Sequence, residues 1–180
     1  TKPFGFTAFQ PGPGFGGHCI PIDPFYLSWK IKKFGIKSNF IEAAGEINHK
    51  MPQWIVNKVL KDLKKKKIKN NNILLLGVAY KKNISDTRES PAIEIINILE
   101  KKGYNVDYHD PYVKVLKNLR KFKKFKQSKK LNNNLKKYAC ILLVTDHDKV
   151  DYKKIVKNSR LIFDCRGYFR NIKLEKIINA

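Results

Sequence analysis

Acidic residues are scarce in this chain. Only 15 Asp and Glu stand against 38 Lys and Arg in 180 residues, a formal net charge of +23. Cysteine is nearly absent. The three present, Cys19, Cys140 and Cys165, form no CxxC pair and are odd in number. This argues against a disulfide framework and for a reduced, cytoplasmic setting. His18 beside Cys19 has no second ligand pair at zinc-like spacing, so no metal is expected. No apolar run approaches the roughly 18 residues of a membrane span, so no membrane partner is expected. The N-terminus shows neither an initiator methionine nor a signal peptide, and the expectation is a chain that begins mid-protein.

The positive charge has two readings. One is a nucleic-acid-binding module. The other is drift of surface positions to Lys and Asn. The lysines are spread from Lys30 to Lys176 and not gathered on one arm, which favours the second reading and no nucleic-acid partner. Hydrophobic residues make up 42%, enough for a globular core.

What is there begins with the run QPGPGFGGHCIPIDP, residues 10–24, with four glycines and four prolines in fifteen residues. Gly12-Pro-Gly14-Phe-Gly16-Gly17 matches GxGxxG literally. The dinucleotide fingerprint needs a buried strand before the glycines and a helix directly after. Phe4 to Gln10 offers at best a weak strand, and Pro21 falls where a first helical turn would need free amides. The run therefore reads as a rigid loop whose bare backbone packs against a flat ligand. Cys19 on this loop is a candidate nucleophile. Asp23 is expected as the N-cap of a helix starting at Pro24, or as a carboxylate orienting water near Cys19.

That first helix should stop at Gly35. A second should run from about Asn39 to Lys67, with Ile41, Ala44, Ile47, Met51, Ile55, Val59 and Leu63 on one stripe and a kink or restart at Pro52. From residue 72 the pattern becomes strand–helix alternation. Strands are expected at 72–78, 104–109, 139–144 and 161–163, and helices from Ser90-Pro91 to Gly103, at 151–157 and at 174–178. A short helix and loops should fill 112–137. The fold class is α/β: a helical connector followed by a Rossmann-like parallel sheet, divided as loop 1–23, connector 24–71 and α/β unit 72–180.

In such a sheet ligands bind outside the carboxyl ends of the strands. Lys81 and Arg88, in the loop 79–89, would pair there with phosphate or carboxyl oxygens. A surface pair of Arg88 with Asp86 is the alternative. Arg166, at the end of the last strand, points into the same cleft or forms a structural Asp/Arg pair.

Four segments, PGPGFGGHCIPIDPFYL, GVAYKKNISDTRESPA, YHDPY and FDCRG, resemble in order and separation the UDP-glucose/UDP-N-acetylhexosamine dehydrogenase family, and the likeness covers essentially the whole chain. The resemblance implies an enzyme that oxidises the C6 alcohol of a UDP-sugar to a carboxylate with two NAD. It implies Cys19 as the nucleophile, with Asp23 activating water. Gln10, Gly12, Gly14, Phe15, Gly16, Tyr80, Lys81 and Arg166 would contact substrate, and Arg88 would lie near NAD. It implies residues 72–180 as a UDP-binding domain and a homodimer through the central helices. His18 and Ile22 resemble the branch acting on N-acetylated sugars, with UDP-N-acetylglucosamine expected first and the mannosamine epimer close behind. The family's N-terminal NAD-binding domain has no counterpart in these residues. A stand-alone nucleotide- or RNA-binding module is the competing expectation.

Overall fold

The computed structural model describes residue 5 and residues 10–180. The weak strand considered over Phe4–Gln10 falls almost wholly outside the described residues.

Two helices come first, α1 (Asp23–Lys32) and α2 (Asn39–Lys65). Then follow β1 (Asn72–Leu76), α3 (Pro91–Lys101), β2 (Asn105–His109), the short β3 (Val115–Leu116) and β4 (Lys126–Gln127), β5 (Cys140–Leu143), α4 (Tyr152–Asn158), β6 (Ile162–Asp164) and β7 (Ile177–Asn179). Five strands form one parallel sheet in the order β2-β1-β5-β6-β7. The chain builds outward from β1 to β2, then crosses to the other side for β5. The place where the order reverses, between β1 and β5, is where a crevice opens at the carboxyl ends of the strands.

The apolar runs at 72–76 and 140–143 are continuous because both faces of the sheet are covered. Ile73, Leu75, Leu142 and Phe163 pack against α3 and the C-terminal half of α2, through Ile95, Ile96, Leu99, Ile55, Val59 and Leu63. Leu74, Leu76, Ile141, Leu143 and Ile162 face the other way, onto Tyr152 and Ile155 of α4 and onto Tyr138 and Phe169. The stripe expected along α2 is thus buried from Ile55 onward, whereas Ile47, earlier on it, is exposed.

Glycine stops two helices as expected. Gly35 and Gly103 both have positive φ, and the following residue donates back five positions, Ile36 N to Ile31 O and Tyr104 N to Leu99 O. Ser90 caps α3 by accepting from Ala92 N, with Pro91 opening the helix.

Four expectations are corrected. Asp23 is not the N-cap of α1. It is the first helical residue, Ile22 precedes it, and no side chain caps the end. The carboxylate instead sits in the first turn, where the helix dipole favours it. Pro52 does not restart α2, which runs through it. Residues 112–137 form no α-helix but the β3–β4 antiparallel pair and a single 3-10 turn at Leu135–Lys137. The closing helix at 174–178 is absent. Five residues are too few to repay helix nucleation, and the β-branched pair Ile177-Ile178 adds β7 to the edge of β6 instead, Ile162 N donating to Lys176 O.

Candidate functional site

The loops after β1, β2, β5 and β6 share one edge of the sheet, and one buried carboxylate ties three of them together. Asp110, 1% exposed, accepts through Oδ2 from Val78 N (2.8 Å), Ala79 N (3.1 Å) and His147 Nε2 (3.0 Å), and through Oδ1 from Tyr112 N (2.8 Å) and Val113 N (2.9 Å). Burial pushes its pKa up, but the His147 hydrogen bond and the amide of Val78 outweigh this and hold it below the ordinary carboxylate value. Gly77, at φ +80, lies so close to Thr145 that no side chain fits, and Thr145 Oγ1 donates to Ala79 O at 2.7 Å.

The glycine–proline loop lies across this edge. A Cβ on Gly16 would fall 2.6 Å from Tyr80 Cβ, and one on Gly17 2.7 Å from the Tyr80 ring. One on Gly12 would strike the Arg166 guanidinium. Gly17 N donates to Arg88 O at 2.9 Å. Gly14 docks between α2 and α3, where a Cβ would meet Asn48 O of α2 at 3.3 Å and Pro91 Cβ of α3 at 3.4 Å. Pro52 has no N–H for the carbonyl of Asn48 four residues earlier, which leaves that oxygen without its helical donor at the point of docking. Phe15 packs edge-on to His49 at 5.5 Å and near Phe25 at 6.2 Å. Among the described residues no helix begins before Asp23, six positions after Gly17, so the glycines do not form a dinucleotide turn.

The structure therefore brings together Gly12, Gly16, Tyr80 and Arg166, with Arg88 one hydrogen bond away. Arg166 is oriented twice: Asp164 Oδ1 accepts from its amide (2.9 Å) and Asp146 Oδ1 from its Nε (3.3 Å). Arg88 forms the surface pair with Asp86, at 2.6 Å. The Asp86 carboxylate, hydrogen-bonded to it, raises the pKa of the Arg88 guanidinium. Cys19 is exposed, in the turn that leads into α1, and its carbonyl accepts from Ile22 N (3.0 Å) and Asp23 N (2.8 Å). Lys81 is exposed and has no ion-pair partner among the described residues, whereas the adjacent Lys82 pairs with Asp148 at 2.6 Å. Gln10 is exposed at the start of the loop.

A cavity of about 730 Å³ opens on the other side of the loop. Gly14, Phe15 and His18 line it together with His49 of α2, Arg88 and Pro91. Cys19, Tyr80, Lys81 and Arg166 are not in its wall. The loop is thus a partition. Gly16 and Gly17 are fitted to Tyr80, while Phe15 and His18, together with Gly17, line the open space. The volume alone does not locate the chemistry, because cationic groups lie on both sides of the loop, with Arg88, Arg120 and Lys121 in the cavity wall and Arg166 and Lys81 outside it.

Sequence reasoning missed Asp110, Asp146, Asp148 and His147. Asp110 entered there only as part of the YHDPY segment. The available signal was the polar run TDHD directly after the apolar strand at 140–143, at the carboxyl edge where function concentrates in such sheets.

Comparisons with known proteins agree with this arrangement. Residues 74–171 match the UDP-binding domain of the UDP-glucose/GDP-mannose dehydrogenase family, and residues 1–50 match its central domain. A UDP-N-acetyl-D-mannosamine dehydrogenase of Methanococcus maripaludis is 38% identical over 167 residues, covering 88% of this chain and 36% of the relative. An NDP-N-acetyl-D-galactosaminuronic acid dehydrogenase of Ralstonia solanacearum is 31% identical over 164 residues, covering 88% of this chain and 36% of the relative. The solved structure of a UDP-D-ManNAc dehydrogenase from Pyrococcus horikoshii superposes with a TM-score of 0.71 at 29% identity, over 97% of this chain and 39% of that one. The chain thus spans little more than a third of the length of these relatives. With both family domains matched in order and the glycine loop lying over the parallel sheet's edge, this chain belongs to the UDP-glucose/GDP-mannose dehydrogenase family.

Proposed function

We propose that this chain is the substrate-holding and thiol-bearing part of an NAD-dependent dehydrogenase that oxidises C6 of a UDP-N-acetylhexosamine to the uronic acid. The observation that carries the proposal is the convergence of Gly12, Gly16, Gly17, Tyr80 and Arg166 at the β1/β5 crevice, with Cys19 on the same loop. Arg166 and Lys81 supply charge for the diphosphate. The bare backbone from Gln10 through Gly12, Gly14 and Phe15 to Gly16 supplies a close-fitting wall, with the Tyr80 ring beside it. We take residues 72–180 as the UDP-binding unit, joined through residues 24–71 to the loop 1–23.

Cys19 would add as thiolate to the sugar aldehyde and hold it covalently as a thiohemiacetal. After the second oxidation the resulting thioester is hydrolysed by water that Asp23 helps deprotonate, releasing the acid and the thiol. NAD supplies the acceptor for both hydrides. Among the described residues there is no strand–glycine turn–helix fingerprint to hold it, and Arg88 is the one group of this chain assigned to its contact. Turnover by these 180 residues alone is accordingly not expected.

The names of the relatives shift the preferred sugar from UDP-N-acetylglucosamine to its mannosamine epimer. A homodimer is proposed with it, supported by the exposed Trp29, Phe34, Phe40 and Ile47 on and between α1 and α2. The test is NADH formation by the protein at its native length with UDP-N-acetylmannosamine, UDP-N-acetylglucosamine and UDP-glucose. The expected result is fastest oxidation of the mannosamine sugar, two NADH per acid, and loss of acid with Cys19→Ser. UDP-glucose oxidised fastest, or acid formation unchanged by Cys19→Ser, would refute it. Salt-sensitive RNA binding without any response to UDP-sugars would support the alternative module.

A further inference from the structure

The segment Thr145–Asp148 following β5 holds the turn after β1 at Ala79 and Asn83, the buried Asp110, and Arg166. Asp146 holds Arg166 and Asp148 holds Lys82. Between them His147 is fully buried, at 0% exposure, with both ring nitrogens engaged. Nε2 meets Asp110 Oδ2 at 3.0 Å, and Nδ1 accepts the backbone N–H of Asn83 at 2.9 Å. A nitrogen that accepts an amide proton carries none itself. The ring proton is therefore on Nε2, donated to a carboxylate that has four further hydrogen bonds from the backbone.

Asn83 is an unusual anchor point. It is a non-glycine residue at φ +64, two positions after Lys81. Its side chain is gripped by Asp148, Nδ2 donating to Oδ2 at 2.6 Å and Oδ1 accepting from the Asp148 amide at 3.0 Å. On the other side of Tyr80, the Ala79 carbonyl is held by Thr145. Tyr80 and Lys81 thus sit in a turn pinned at both ends by one segment that itself makes no part of the loop.

We propose that His147 is a positioning residue, its ring linking the buried Asp110 to Asn83 N–H and so fixing the Tyr80–Lys81 turn for the nucleotide diphosphate. The proposal rests on the UDP-sugar reading above. A loose turn would leave Lys81 to be ordered at the moment of binding, and the affinity would fall accordingly.

The test uses the 180-residue chain, UDP as the probe, and the variants His147→Leu and His147→Gln, with unfolding by urea checked for each. Gln keeps one donor and one acceptor in a similar span, so it is the conservative rescue. The expected result is UDP binding weakened about tenfold by His147→Leu, the scale of one hydrogen bond, with faster exchange of the Asn83 amide proton. His147→Gln should restore both. Wild-type affinity in a folded His147→Leu chain, or equal impairment in the Leu and Gln chains, would overturn the proposal. The ¹⁵N spectrum of His147 in the wild-type chain tests it even where a variant does not fold. Protonated Nε2 with bare Nδ1 is expected, and a proton on Nδ1 would overturn it. If the wild-type chain ignores UDP, the UDP-sugar reading and the diphosphate role of His147 fall together. The nitrogen spectrum and Asn83 exchange then decide only whether the ring pins the turn.

Discussion

The helical part and the sheet part of this chain are built to opposite standards. Around the sheet, every residue of β5 and β6 is buried, and the strand-end polar groups Asp110, Thr145, His147 and Asp164 are buried with partners. In α1 the one buried residue is Ser28, hydrogen-bonded to Glu42, while Trp29 is 57% exposed. At the start of α2, Phe40 is 87% exposed. Exposed aromatic surface of this kind marks a contact face, and it is what supports the homodimer proposed above. The sheet part carries the hydrophobic core, and the helical part carries the face proposed for the dimer contact. The glycine–proline loop lies at the seam and takes its shape from both, from Tyr80 of the one and from Asn48 and Pro52 of the other.

The sharpest separation should be in thiol chemistry. Cys19 is exposed at the seam, while burial pushes the Cys140 thiol up to about 12 and that of Cys165 up as well. Alkylation of the native chain should label Cys19 alone, and all three thiols should react only in denaturant. Native labelling of Cys140 would mean that the sheet part is as open as the helical part.

Next in size is Asp110. Asp110→Ala leaves His147 and four backbone amides without their acceptor, and should cost about 3–5 kcal/mol in urea unfolding, the range for breaking a buried pair. Because the folded-state pKa of Asp110 is lowered, its stabilisation is present above the ordinary value near 3.8 and is lost as pH falls through the folded value. The wild-type chain should lose stability on acidification below about pH 4, and Asp110→Asn should show a shallower loss. An identical acid slope in both would remove Asp110 from this role.

A matched pair of truncations sharpens the comparison further. Leu75→Ala, in the core between β1 and α3, should cost about 2–5 kcal/mol. Leu27→Ala, on the open face of α1, should lie within about 0.5 kcal/mol in the monomer. A large effect at Leu27 that grows with protein concentration would show that a second copy covers this face.

These differences also mark what could be read in advance. The buried strands at 72–76 and 140–143 were legible because two-sided burial leaves a continuous apolar run. Helix limits at Ser90, Gly35 and Gly103 were legible because capping is local chemistry. β7 was not, since three residues become a strand only through their partner β6. Nor was the Asp110–His147 link, whose members are 37 positions apart. Among the candidate residues, the fit of Gly12 to Arg166 and of Gly16 to Tyr80 required the folded chain, since glycine in a loop announces freedom but not the neighbour that needs it.

The central claim is that the β1/β5 edge under the glycine loop holds a uridine diphosphate, and its most direct measurement is calorimetric titration of UDP into this chain beside Arg166→Ala and Gly16→Val. Saturable binding, abolished by Gly16→Val and weakened by Arg166→Ala, is expected. Equal binding by all three, or none by the wild-type chain, would contradict it.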